Sequence, residues 1–209
     1  MRTLLLLPLL LAIGAASCAG QTPGKFDYYV LALSWSPEYC ASQDGSRDKL
    51  QCVDRRYGFV THGLWPQYEK GYPRRCKSPA TLSYDTVKRM LDIMPSEGLV
   101  RHEWQTHGTC SGLTPGVYFD LLRRFYSSIR VPREFQEPTT TVLIAPAALK
   151  QRFLESNASL MAGSLAVLCS GRNLRELRVC LTKEGKPRPC GRDVRDQCSV
   201  DQAVLRPVR

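Results

Sequence analysis

Apolar and polar positions alternate and cluster along the 209-residue chain in a way that predicts strands and helices intermixed rather than in regular alternation. Residues 26–35, "FDYYVLALSW", mix aromatic and aliphatic side chains in a short unbroken run, the pattern of a strand buried on both faces. Residues 42–52 are a polar loop. Residues 56–66, "RYGFVTHGLWP", read as a second strand that breaks at Gly63 and Pro66.

Helical spacing follows. Val87, Met90, Leu91 and Met94 fall on one face of a helix that stops at Pro95. Residues 98–108, "GLVRHEWQTHG", form a short buried helix with Gly108 as its stop. Residues 115–130 make the clearest helix, with Pro115 near its start and Val117, Leu121, Leu122 and Phe125 facing inward. A strand at "TTTVLI", a helix from Pro146 through Asn157, and two strands around "SLAVLCS" and "LRELRVCL" complete the series. In the last of these, Glu176 and Arg178 alternate with apolar neighbours. Without a regular strand–helix repeat, the expected class is α+β: a central, mostly antiparallel sheet packed with helices, in a single disulfide-stabilised domain. No internal repeat or low-complexity tract divides the chain, and its length suits one domain.

The first residues stand apart. "MRTLLLLPLLLAIGAASCAG" has one positive charge, an apolar run and then small residues, the layout of a secretory signal peptide. The division expected is residues 1–19 as leader and 20–209 as the exported domain, secreted or periplasmic. No later segment offers the roughly 18 apolar residues of a membrane span. Cleavage after Ala19 removes Cys18; the alternative is that Cys18 carries a lipid anchor. Eight cysteines then remain, an even number suited to four disulfides in an oxidising compartment. Spacing alone leaves about 105 pairings open. Asn157-Ala158-Ser159 is a glycosylation triplet, which assigns no host.

The formal charge is +10, partly from ten Lys/Arg against five Asp/Glu in residues 172–209. An ordinary solvated surface accounts for it, and so does attraction to a polyanion such as nucleic acid.

Histidine narrows the chemistry. The chain holds three, His62 in "THGLWPQY" and His102 and His107 in "HEWQTHGTC". Zinc proteases space two histidines four apart; here the interval is five, which turns the imidazoles about 140° apart on a helix. No CxxC pair offers a cysteine zinc site either. Glu103 and His107 are four apart and share a helical face, so a carboxylate stands to tune an imidazole. With a second imidazole from His62, this makes an acid–base pair. Such a pair is what cleavage of RNA by its own 2′-hydroxyl requires, without metal or cofactor.

The two histidine segments resemble the active-site segments of the ribonuclease T2 family, secreted and base-nonspecific endoribonucleases. "YYVLALSWSPEYC" and "LRELRVCLTKEGKPRPC" resemble the family's first strand and its C-terminal strand pair, so the likeness covers most of residues 26–198. It implies His107 as general base, His62 as general acid, His102 as a phosphate contact and Glu103 as support for the charge-stabilising group. It implies Trp65 beside the base or ribose, where a core tryptophan is the other reading, and Tyr72 as a stacking partner, where an ordinary surface tyrosine is the other. It also implies the disulfides Cys40–Cys52, Cys76–Cys110, Cys169–Cys198 and Cys180–Cys190. The partner implied is RNA, with no obligate protein partner, and the expected state is a monomer. One position departs: where the family usually has a lysine before the last histidine, this chain has Thr106. Lys70, Arg74, Arg75 and Lys77 are the candidates to replace that charge. The rival reading is an exported RNA- or protein-binding relative with little catalysis.

Overall fold

The computed structural model describes residues 21–208; the leader, Ala19 and Cys18 lie outside them. Six strands form one sheet in the order β2-β1-β5-β6-β3, with β4 also paired to β5. They are β1 (Tyr28–Trp35), β2 (Phe59–Gln67), β3 (Val142–Ile144), β4 (Leu165–Ser170), β5 (Asn173–Leu181) and β6 (Ala203–Leu205). All pairings are antiparallel except the short β5–β6 contact. Six α-helices accompany them: α1 (Ser36–Cys40), α2 (Lys49–Cys52), α3 (Tyr84–Met90), α4 (Glu97–Thr106), α5 (Pro115–Ser128) and α6 (Pro146–Ser156). The fold is α+β. Among the described residues, no helix is long and apolar enough to cross a membrane.

The two faces of the sheet bury different groups, because successive strand residues point opposite ways. Tyr29, Leu31, Leu33 and Trp35 of β1 join the main core with Val87, Trp104, Tyr118, Phe119 and Phe153 from the helices. Tyr28 and Val30, on the other face, pack with Ala166, Leu168, Cys180 and Val194, and Trp65 lies against that smaller cluster. Hence one face carries the core and the other carries polar groups beside a thin apolar layer.

The second strand does not break at Gly63 or Pro66; it runs through both. What the glycine marks is a bulge. Ala32 pairs with Gly63 but Leu33 with Thr61, so His62 and Gly63 stand together against one residue of β1. Pro66 is tolerated because β2 is an edge strand.

Three further expectations change. The first long helix ends at Met90 instead of running to Pro95, because the chain bends so that Ile93 O accepts from Thr61 N at 2.8 Å. That bend docks the start of α4 beside β2. Val117 is 53% exposed, since Tyr118 and Phe119 take the buried face of α5. The polar stretch after Cys40 folds into short helical turns; Asp48 caps α2 by accepting from Gln51 N. The sequence pattern also missed the three-residue β6, too short to show alternation. Asn157, in the glycosylation triplet, is buried, and its side chain bonds Arg130 and Phe153 backbone atoms.

Four disulfides are present: Cys40–Cys52, Cys76–Cys110, Cys169–Cys198 and Cys180–Cys190. Cys76–Cys110 ties the loop after β2 to the turn after α4. The same loop is held again where Arg75 N donates to Thr106 O at 2.8 Å.

Candidate active site

The site lies where the edge strand β2 faces α4. Ser96 caps α4, its hydroxyl accepting from Leu99 N, and Trp104 on the inner side of the helix packs against Tyr118. Tyr118 in turn donates to Leu64 O at 2.7 Å, fixing helix and strand to a common support. The histidines of both motifs are therefore carried by packed backbone.

His62 projects from the bulge. Its Nδ1 donates to Glu176 Oε2 at 2.8 Å, and its Nε2 lies 3.8 Å from Glu103 Oε1. The side chain is 38% exposed. Burial alone would lower its pKa, but the hydrogen bond and charge of Glu176, with the charge of Glu103, outweigh it and hold the pKa above the ordinary histidine value. His62 is thus biased toward keeping its proton.

His107 behaves in the opposite sense. It sits one residue past the end of α4, with φ −121° and ψ −46°. Burial, then the positive neighbours His62, His102 and Arg74, push its pKa down to about 3. Its Nδ1 is buried without a protein hydrogen-bond partner. Near neutral pH it is an unprotonated imidazole.

Trp65 stands between the two histidines. Its ring is 5.1 Å from that of His62 and 5.3 Å from that of His107. The indole N–H donates to Glu103 Oε2 at 2.7 Å. Glu103, 1% exposed, has its pKa pushed up to about 7 by burial, against the lowering effects of His62 and the indole N–H. The glycine of "HGLW" now has a reason: a Cβ on Gly63 would overlap the Glu103 carboxylate and Trp65 Nε1. Tyr72, 46% exposed, has its ring 6.1 Å from His107.

Helical spacing suggested that Glu103 serves His107. The carboxylate turns instead to Trp65 and His62, because His107 has already left the helix and the four-residue relation no longer holds. His102 is exposed, with Nε2 3.4 Å from the Thr106 hydroxyl. Thr106 itself is buried.

Glu176 and Arg178 went unrecognised as site residues. Glu176, 2% exposed, bonds His62 through one oxygen and Arg178 Nε through the other, the latter at 2.7 Å. Burial raises its pKa, but the bond to His62 and the charges of His62 and Arg178 outweigh that and leave it below the ordinary carboxylate value. The available signal was a glutamate and an arginine two apart, and so on one face of a strand whose other side, Arg175 apart, is apolar at Leu177, Val179 and Leu181. The arrangement offers a proton-holding imidazole and a proton-free one on a shared aromatic wall, with carboxylates buried behind them. Among the described residues, no three His, Cys, Asp or Glu side chains cluster as a metal ion requires.

Comparison with known proteins relates the chain to a family. The model of the ribonuclease T2 family matches residues 26–190. A ribonuclease of Aeromonas hydrophila is 36% identical over 223 aligned positions, covering 100% of this chain and 99% of its own. Ribonuclease I of Escherichia coli is 31% identical over 51% of this chain and 55% of its own. Among solved structures, an RNase-related protein from Calystegia sepium shares the fold with a TM-score of 0.71 at 18% identity, over 88% of this chain and 98% of the other. Trichomaglin, described as an S-like ribonuclease, gives 0.72 at 18% identity, over 88% and 100%.

Proposed function

Since the chain belongs to the ribonuclease T2 family of endoribonucleases, we propose that it cuts single-stranded RNA by metal-independent transesterification, with His107 as general base and His62 as general acid. His107 takes the 2′-hydroxyl proton; the 2′ oxygen forms a bond to phosphorus; the bond from phosphorus to the 5′ oxygen breaks as His62 delivers its proton there. The products are a 2′,3′-cyclic phosphate and a free 5′-hydroxyl. In a slower second step His62, now neutral, takes a proton from water. The water oxygen attacks phosphorus, and His107 returns a proton to the 2′ oxygen as a 3′-phosphate forms. DNA resists because it lacks the internal nucleophile.

The observation that carries this reading is the opposed tuning of the two imidazoles. One is pulled toward its charged form by Glu176 and the other is held neutral by burial among positive groups. Groups pushed apart in this way near a shared pocket wall are the usual mark of an acid and a base. His102 contacts the phosphate, and Glu103, through Trp65 and His62, supports the charge-stabilising side of the site. Trp65 and Tyr72 offer faces for ribose or base, which explains a weak base preference, since stacking tolerates any base. The basic surface makes RNA binding salt-sensitive.

The protein acts as an exported monomer, with residues 1–19 removed and 20–209 forming the ribonuclease domain. The test is RNA cleavage by the oxidised protein in excess EDTA, following cyclic phosphate. Wild type yields it and His62→Ala and His107→Ala do not. Intact RNA after incubation with folded wild type, from mildly acidic to neutral pH, replaces catalysis by a binding role.

A further inference from the structure

Thr106 leaves the site one cation short. The developing phosphorane carries negative charge between base and acid, and a fixed positive group aimed there stabilises it. The position just before His107 supplies no charge, because Thr106 is buried and its hydroxyl lies 3.4 Å from His102 Nε2. Lys70, Arg74, Arg75 and Lys77 are all exposed, on the loop that follows β2. Among the described residues no hydrogen bond or ion pair holds their side chains, although Arg74 lies close enough to His107 to help lower its pKa.

One cation is held in place. Arg178 comes from β5, two strands away from His62, and the sheet register shows how it reaches. Arg178 pairs with Ala32, and Ala32 with Gly63, so no side chain larger than a methyl stands between β5 and the bulge on that row. The guanidinium carbon lies 5.0 Å from the Trp65 ring centre, the same ring that both catalytic imidazoles approach. Its Nε is fixed by Glu176 at 2.7 Å, and Glu176 holds His62 with its other oxygen at 2.8 Å. Among the described residues, Nη1 and Nη2 make no hydrogen bond to protein. Those groups form a planar pair of donors of the kind that binds phosphate in two-pronged fashion.

We propose that Arg178, positioned by Glu176, holds the scissile phosphate and supplies the charge that a lysine at position 106 would otherwise provide. This rests on the ribonuclease reading above and adds a residue to it. A guanidinium stacked on an aromatic and bonded to a buried carboxylate is pre-organised for the transition state in a way that loop lysines are not.

The experiment measures kcat and KM for single-stranded RNA with wild type, Arg178→Ala, Arg178→Gln, Arg178→Lys, and Arg178→Ala combined with Thr106→Lys, each checked for fold by circular dichroism and melting. Arg178→Gln is included because it can still bond Glu176 and keeps the fold if the alanine variant does not. Expected is a loss of about 100- to 1,000-fold in kcat for the alanine and glutamine variants. Partial recovery is expected in Arg178→Lys and at least tenfold recovery when Thr106→Lys is added to Arg178→Ala. A purely structural arginine gives no such rescue, because a lysine on α4 cannot replace a bond on β5. Glutamine and alanine variants within threefold of wild type, or a double variant no better than Arg178→Ala, overturn the assignment. An inactive wild type, or activity surviving His62→Ala, overturns instead the reading it rests on.

Discussion

His62 Nδ1 and Glu176 Oε2 lie 2.8 Å apart although 114 residues separate them in the chain. The bond fixes the imidazole with its proton on Nδ1 and turns Nε2 toward the pocket, and the carboxylate charge favours the protonated ring. Replacing Glu176 by Gln keeps a hydrogen-bond acceptor and removes the charge. The His62 pKa then falls, because burial and Arg178 both act to lower it and Glu103 alone opposes them. The alkaline limb of kcat/KM moves to lower pH, with about tenfold less activity near neutrality, within the range of a general-acid contribution. NMR titration of the three histidines alongside the pH–rate profile checks this. An unmoved limb would show that Glu176 does not set the acid's pKa.

The same pair makes stability depend on pH in a defined window. A histidine raised above its unfolded value contributes fully below about 6.5, and its contribution is lost as pH rises through the folded pKa. Glu176, lowered below the carboxylate value, contributes above about 4.3 and less as pH falls through its folded pKa. His107 works the other way: with a folded pKa of about 3, it penalises folding increasingly as pH drops from about 6.5 toward 3. His107→Asn therefore gains in melting temperature relative to wild type at pH 4 and shows no such gain at pH 8. Equal differences at both pH values would mean that His107 is not neutral in the folded protein.

Much of this site was readable in the chain, and what was not has a physical reason. The three histidines are scarce and lie in two short motifs, so their grouping shows in one dimension, and the structure brings His62 and His107 to one tryptophan ring. Gly63 signalled an irregularity but not its kind, since a break and a bulge look alike until the partner strand's register is known. Arg178 reaches Trp65 across Ala32, and Glu176 reaches His62 across Ser34, the small residues of β1 that pair with them. That relation belongs to the sheet. Helix periodicity likewise paired Glu103 with His107, and failed because the last turn unwinds one residue early.

Gly63 also sets a steric limit. A methyl there must displace the Glu103 carboxylate or the Trp65 indole, both packed and hydrogen-bonded to each other. Gly63→Ala costs about 1–3 kcal/mol of stability as overpacking. It also lowers kcat about 100-fold, the scale of an ångström-sized misplacement of catalytic groups. Thermal melting and single-turnover cleavage separate the two effects. A variant with wild-type kcat and lowered melting temperature would show that Glu103 and Trp65 pack the site without aligning it.

The Cys76–Cys110 bond closes 34 residues that include α3, α4 and both histidines of the second motif. Its entropic contribution for a loop of that length is about 3–4 kcal/mol. For a domain of this size that is roughly 10 °C in melting temperature. The bond also anchors the turn into which His107 emerges, three residues before Cys110. Cys76→Ala with Cys110→Ala should therefore do more than lower stability. Well below its melting temperature the double variant loses kcat, because the turn then loses its covalent tie to the β2 loop and keeps only noncovalent contacts, such as Arg75 N to Thr106 O and Ser111 Oγ to Gly108 O. Removing Cys40 and Cys52 instead, a bridge that does not tie the turn carrying His107, lowers the melting temperature while kcat at low temperature stays near wild type. Circular dichroism melts and kcat at about 20 °C below each variant's transition distinguish the two bridges. Equal kcat in both double variants would show that the first bridge stabilises the fold without positioning the base.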